Sequence, residues 1–125
     1  MRYPEEIVHD DDGTMPENVE ELRRAVVGHR IVDVYQGSDF RITLHNGTRV
    51  RLRGGADCCA YTELENFLLH ADRIDHVITG VGTTDEYQTW HVYVDYGDAL
   101  ELQVGWSSGN PFYYGYGFEI EVEEL

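Results

Sequence analysis

Two runs in close succession alternate apolar with polar side chains: Phe40, Ile42 and Leu44 against Arg41, Thr43 and His45, then Val50 and Leu52 against Arg49, Arg51 and Arg53. A period of two belongs to a strand with one buried face, and two such runs parted by Asn46-Gly47 form a hairpin. Parity fixes the loop. A two-residue Asn-Gly loop would set Leu44 opposite Arg49 and mix apolar with charged residues on each face, whereas a three-residue loop, His45-Asn46-Gly47, pairs Leu44 with Thr48 and Ile42 with Val50. The longer loop keeps both faces uniform and places Gly47 in a left-handed, bulged turn.

The pattern returns further along the chain. Ile42, Leu44, Gly47, Val50 and Leu52 align with Val92, Val94, Gly97, Leu100 and Leu102 at an offset of 50, and Arg30-Ile31 aligns with Arg73-Ile74 at an offset of 43. The seven extra residues fall around Thr83 to Gln88 as a longer loop. Ahead of the first copy, Val19, Leu22 and Val26 recur at helical spacing between Pro16 and Gly28. Thr62-Glu-Leu-Glu65 reads as a capping box opening a second short helix, with Leu64, Phe67 and Leu68 on its buried side and its end near His70. Strands are expected at Ile31 to Tyr35, in the two hairpins, at Ile74 to Val81, and in a last run that alternates Tyr116, Phe118, Ile120 and Val122 with Glu119, Glu121 and Glu123. The expected fold is α+β, a single domain over 15–125. It has about seven strands in a mainly antiparallel sheet with two short helices, and reads as a duplicated helix-plus-three-strand unit (16–55 and 62–105) with a final strand at 116–123. Chance alternation is the competing account of the repeat. Residues 1–14, which include His9-Asp-Asp-Asp-Gly13, read as a mobile acidic lead-in without the ligand spacing of a calcium loop.

A chain of 125 residues suffices for one core without a metal or a disulfide. It carries 24 acidic and 9 basic residues, a formal charge of −15, which opposes non-specific binding to nucleic acid or anionic membrane and permits a basic protein partner. A solubilising role for the charge is the plainer alternative. No apolar run approaches the ~18 residues of a membrane span, and a cytosolic location is expected. The expected partners are a basic protein or a small anionic ligand, with no direct nucleic acid and no cofactor.

Cys58 and Cys59, the only cysteines, sit side by side where the strand pattern ends, in Arg53-Gly-Gly-Ala-Asp-Cys-Cys-Ala60. Adjacent Cα atoms are about 3.8 Å apart, below the roughly 4.4–6.8 Å of a relaxed disulfide. Their adjacency also lacks the spacing that brings two sulfurs to one tetrahedral zinc, and Asp57 opposes an activated thiolate. At the offset of 50, Asp57-Cys58-Cys59 falls on Ser107-Ser108-Gly109. The two loops either converge on one pocket walled by Trp106, Asn110, Tyr113, Tyr114 and Tyr116, or they are separate turns with the cysteines packed as small hydrophobes.

Two further groups of residues carry paired readings. Arg41 and Arg51 are expected opposite each other on the hairpin, where like charges destabilise a sheet unless an anion or a carboxylate lies between them. They form either an anion platform or the partners of Glu119, Glu121 and Glu123. The run Phe112-Tyr-Tyr-Gly-Tyr-Gly-Phe118 suits either stacking on a planar ligand or a bent strand over the core. There is no Walker loop, no G-x-G-x-x-G, no G-x-S-x-G and no H-E-x-x-H.

The succession Gly28-His-Arg-Ile-Val-Asp-Val34, a Gly-Thr hairpin and Asp57-Cys58-Cys59 resembles small Asp-Cys-Cys proteins of unknown function encoded by bacteriophages, especially those of actinobacteria. The likeness covers roughly residues 25 to 122. It implies an intracellular phage accessory protein and supplies no catalytic residues. Ala60 stands where many relatives place an acidic residue, which removes a charge from that position. The expected function is a non-catalytic protein that binds and modulates or blocks a host macromolecule. The alternatives are a binder that sequesters a nucleotide-like molecule and a thiol-dependent enzyme.

Overall fold

The hairpin forms in the register that parity requires. In the computed structural model, which describes residues 14–56, 61–95, 97–107 and 118–124, strands β2 (Phe40–Leu44) and β3 (Arg49–Arg53) pair antiparallel with Ile42 opposite Val50 and Arg41 opposite Arg51. Leu44 N donates to Thr48 O at 2.8 Å, and Gly47 turns the chain at φ +93°, where a side chain would be strained. Helix α1 (Thr14–Val26) and strand β1 (Ile31–Gln36) also form where the spacing places them.

The second half departs from expectation in three places. Residues Tyr61–Leu69 are a strand, β5, and not a helix. Its register against strand β8 (Gly97–Ser107) slips between Leu64 and Asn66, so Glu65 has no cross-strand register partner. Thr62 and Leu64 face inward before the bulge, and Phe67 and Leu69 after it. The extra residue turns an alternating pattern into a three-residue step from Leu64 to Phe67, which a helix would also give. Thr62, expected as a helix cap, is buried and sits opposite Trp106. The stretch expected as a strand at Ile74 to Val81 begins in turns over residues 71–76, and β6 runs Gly80–Thr84. The turn from β6 to strand β7 (Thr89–Val94) therefore spans only Asp85 to Gln88, one residue more than Gly37 to Asp39 in the first copy, and the seven-residue extension expected there is absent. With β7 and β8 in place, the two meanders share their cross-strand pairs: Phe40 with Leu52 and Ile42 with Val50, then Trp90 with Leu102 and Val92 with Leu100.

Two antiparallel sheets replace the single sheet. One runs in the order β1-β2-β3-β9, with β9 at Glu119–Glu123, and the other β4-β5-β8-β7-β6, where β4 is the two-residue piece Gly55–Ala56. Among the described residues there are thus one helix and eight strands of five residues or more besides β4. The strand after each meander leaves for the other sheet: β5 follows β3 but pairs with β8, and β9 follows β8 but pairs with β3. The 1–14 lead-in and Tyr116 of the final run lie outside the described residues, apart from Thr14 at the start of α1.

One apolar core draws on both sheets and α1, which contributes Val19, Leu22 and Val26. Two aromatic pairs bridge the sheets reciprocally: Phe40 of β2 against Phe67 of β5 at 5.2 Å, and Trp90 of β7 against Phe118 at 5.4 Å. Asn18 of α1, itself buried, donates to Phe118 O at 2.9 Å and accepts from Phe118 N, so one amide side chain satisfies both backbone groups at the start of β9. Gly54 sits where the chain passes from one sheet to the other, and a Cβ there would lie 2.4 Å from the Thr62 carbonyl oxygen. Because that neighbour is backbone, Gly54→Ala is expected to cost about 1–3 kcal/mol in urea unfolding. An unchanged midpoint would show that the crossing can widen.

Candidate functional site

Both loops singled out from the sequence leave one end of the five-stranded sheet. Ala56 pairs with Tyr61, and Tyr61 pairs with Ser107 on its other side, so the last residue of β4 and the last of β8 flank the first of β5. Two strand spacings separate them, about 10 Å. Asp57, Cys58 and Cys59, and with them Ser108, Asn110, Tyr113, Tyr114 and Tyr116, fall outside the described residues. Trp106, half-buried, donates its indole Nε1 to Glu86 O at 2.9 Å and stands edge-on to Tyr87 at 6.2 Å. That bond supports an unusual turn. Asp85, Glu86 and Tyr87 all take left-handed φ values of 57°, 55° and 68°, and Trp90 Nε1 donates to Tyr87 O, so both tryptophans of the chain hold its carbonyls.

Arg41 and Arg51 lie on the outer face of the other sheet, already matched with carboxylates. In the β3–β9 ladder Arg49 faces Glu123, Arg51 faces Glu121 and Arg53 faces Glu119. Arg51 reaches Glu123 at 3.1 Å and Glu121 at 3.6 Å, Arg53 reaches Glu119 at 3.3 Å, and Arg41 holds the buried Asp39 at 3.2 Å while resting on the Tyr35 ring. The cross-strand arginine pair is thus bracketed by acids from Asp39 on one side and β9 on the other. A separate groove of about 560 Å³ runs between α1 and β9 over Ile120 and Val122, and none of the candidate binding residues expected from the sequence lines it.

A cluster that the sequence reading did not assemble occupies the outer face of the five-stranded sheet. His91 and Glu101 are register partners on β7 and β8, in the places that Arg41 and Arg51 hold in the first meander. A register shift between Val92 and Tyr93 brings Asp98 to the same spot. His91 Nδ1 lies 3.1 and 3.2 Å from the two Asp98 carboxylate oxygens, and its Nε2 lies 2.9 Å from Thr84 Oγ1. His70, just past β5, places Nε2 2.8 Å from Glu101 Oε2. His91 and Asp98 are each only 8 % exposed. Gly82 stands opposite His91 on β6, which leaves the ring room to reach Thr84. The order hydroxyl, imidazole, carboxylate is that of a nucleophile, a base and the acid that orients it. The second carboxylate, Glu101, has no part in such a relay, whereas a bound cation would use it. The pairing of His91 with Glu101 was readable from the offset of 50. His70 was not, because β5 imitated a helix.

A family model described as a domain of unknown function (DUF7448) matches residues 24–120 of the chain. No curated protein and no solved structure matches at a significant level.

Proposed function

We propose that this chain, which belongs to the DUF7448 family, is a non-catalytic binding protein that engages a basic macromolecule through its acidic surface. Its setting in this reading is the cytoplasm of a phage-infected bacterium, where the protein modulates or blocks a host component. One observation carries the reading. Arg23, Arg41, Arg51, Arg53 and Arg73 each lie within 4.0 Å of a carboxylate of the chain itself, so much of the positive charge is paired internally in a chain whose formal charge is −15. Such a surface steers a cationic partner and repels nucleic acid. No described helix is long and apolar enough to cross a membrane. Affinity capture from a bacterial lysate at low and at moderate ionic strength should recover a basic protein whose retention falls with salt and with added competitor DNA. Recovery of none at either salt removes the reading.

A second reading rests on the row Ala56, Tyr61, Ser107, which brings the stems of the cysteine and serine loops to one end of one sheet. It makes the protein a binder of a nucleotide-like molecule between those loops. The arginines expected to hold its phosphate belong to the other sheet and are ion-paired there. Native mass spectrometry with a nucleotide panel should then show a retained ligand lost on Trp106→Ala. An empty spectrum ends that reading.

A further inference from the structure

We infer that His91, Asp98 and Glu101 form a binding site for one divalent first-row transition-metal ion, with His70 and Thr84 as the groups that orient its ligands. One ligand atom from each of the three residues lies within 4.8 Å of the other two. The separation of 3.1 Å between His91 Nδ1 and Asp98 Oδ1 is close to the ~3.3 Å that bonds of about 2.0–2.1 Å at a tetrahedral angle set between two ligands. The donor set is one imidazole nitrogen and two carboxylate oxygens, borderline in character and suited to Zn²⁺ or Co²⁺.

The supporting contacts follow the pattern of a ligated histidine. Such a residue donates its other ring N–H to a neighbouring oxygen, and its carboxylate co-ligands are themselves hydrogen-bonded. Here Nε2 of His91 faces the Thr84 hydroxyl at 2.9 Å, and Glu101 is held by His70 at 2.8 Å. If Nε2–H is donated to Thr84, the Nδ1 lone pair points at the Asp98 carboxylate, and two acceptors at 3.1 Å need a cation or a proton between them. A cation bound there would hold the place that a proton fills in a plain histidine–carboxylate hydrogen bond, with Nε2–H turned to Thr84 Oγ1. Two carboxylates beside one largely buried imidazole give the site a net negative charge that a divalent ion balances. Arg73 donates Nη1 to the Asp98 carbonyl oxygen at 3.1 Å and has the Asp72 carboxylate 3.9 Å from its Nε. Three protein ligands leave a fourth position for water or for a donor atom of a bound molecule.

The test uses the full chain carrying Cys58→Ser and Cys59→Ser, so that thiols cannot bind the ion. Titration with Zn²⁺ should show one equivalent by native mass spectrometry and a rise in melting temperature that a chelator reverses. Co²⁺ should give visible absorption of a low-symmetry site. Affinity should fall at least about 100-fold in His91→Gln and in Glu101→Gln, and about 10- to 100-fold in Thr84→Val, the loss found when an orienting partner is removed. His45→Gln, at the contact of His29 with His45 at 3.4 Å elsewhere in the fold, should leave it unchanged. Circular dichroism checks that each variant is folded, and Glu101→Gln, at a half-buried position, keeps the test valid if His91→Gln does not fold. No bound ion in the parent protein, undiminished binding in Glu101→Gln, or loss in His45→Gln would each overturn the assignment.

Discussion

Trp90→Ala is expected to lower the unfolding free energy by about 3–5 kcal/mol, the range for emptying a large aromatic site in a closed core. Trp90 is fully buried on the middle strand of the second meander, edge-on to Phe118. Its indole also donates to Tyr87 O at the left-handed turn. Each of the three left-handed residues there carries a conformational cost of order 1–2 kcal/mol, which only surrounding contacts offset. Trp90→Phe separates the two contributions, because it keeps most of the volume and removes the donor. That variant should lose about 1–3 kcal/mol. Urea denaturation of both variants gives the comparison. If alanine costs no more than phenylalanine, the packing against Phe118 contributes little and the turn is what Trp90 serves.

Asn18→Leu should be nearly as damaging, at about 2–5 kcal/mol, although it replaces a polar residue by an apolar one of similar size at a buried position. The Phe118 N–H and C=O would both lose their partner in a place water does not reach, and each orphaned group costs about 1–3 kcal/mol. The effect should be local as well as global. Amide exchange should accelerate along Glu119 to Glu123 before it does so in Thr89 to Val94, since Asn18 ties only the start of β9. Uniform acceleration in both strands would mean that β9 does not open on its own.

Which parts of this architecture the sequence disclosed depended on whether inward-facing residues kept their period. The first hairpin kept it, so parity alone gave its loop, its register and the opposition of Arg41 and Arg51. The periodicity also gave Glu119, Glu121 and Glu123 as partners for the arginine face. In β5 a single bulged residue, Glu65, broke the period and imitated a helix. The first strand of the second meander was misplaced for a related reason. Gly80, Gly82 and Thr83 are buried without offering an apolar signature, whereas Ile74 offers one from a turn. Non-local pairing is invisible in a local pattern, so nothing announced that β5 and β9 would exchange sheets. The histidine and carboxylate cluster was half legible: His91 and Glu101 follow from the offset of 50, but Asp98 enters through a register shift and His70 through the misread strand. The cysteine pair remains a sequence address whose stem, at Ala56 and Tyr61, adjoins that of the serine loop.

The exchange of fourth strands also governs how the chain reaches its folded state. Neither half can complete its own sheet: the first three strands wait for Glu119 to Glu123 at the far end, and the last three wait for a segment made before them. The halves therefore cannot act as independent folding units, and their sequence similarity does not confer separate stability. Closure demands contacts between residues some seventy positions apart, as in Arg51 with Glu121. Long-range closure of this kind costs loop entropy before any burial compensates, so the contact order is high and folding belongs on the millisecond-to-second scale of β-rich topologies. Once closed, each sheet is completed by a strand that the other half supplies.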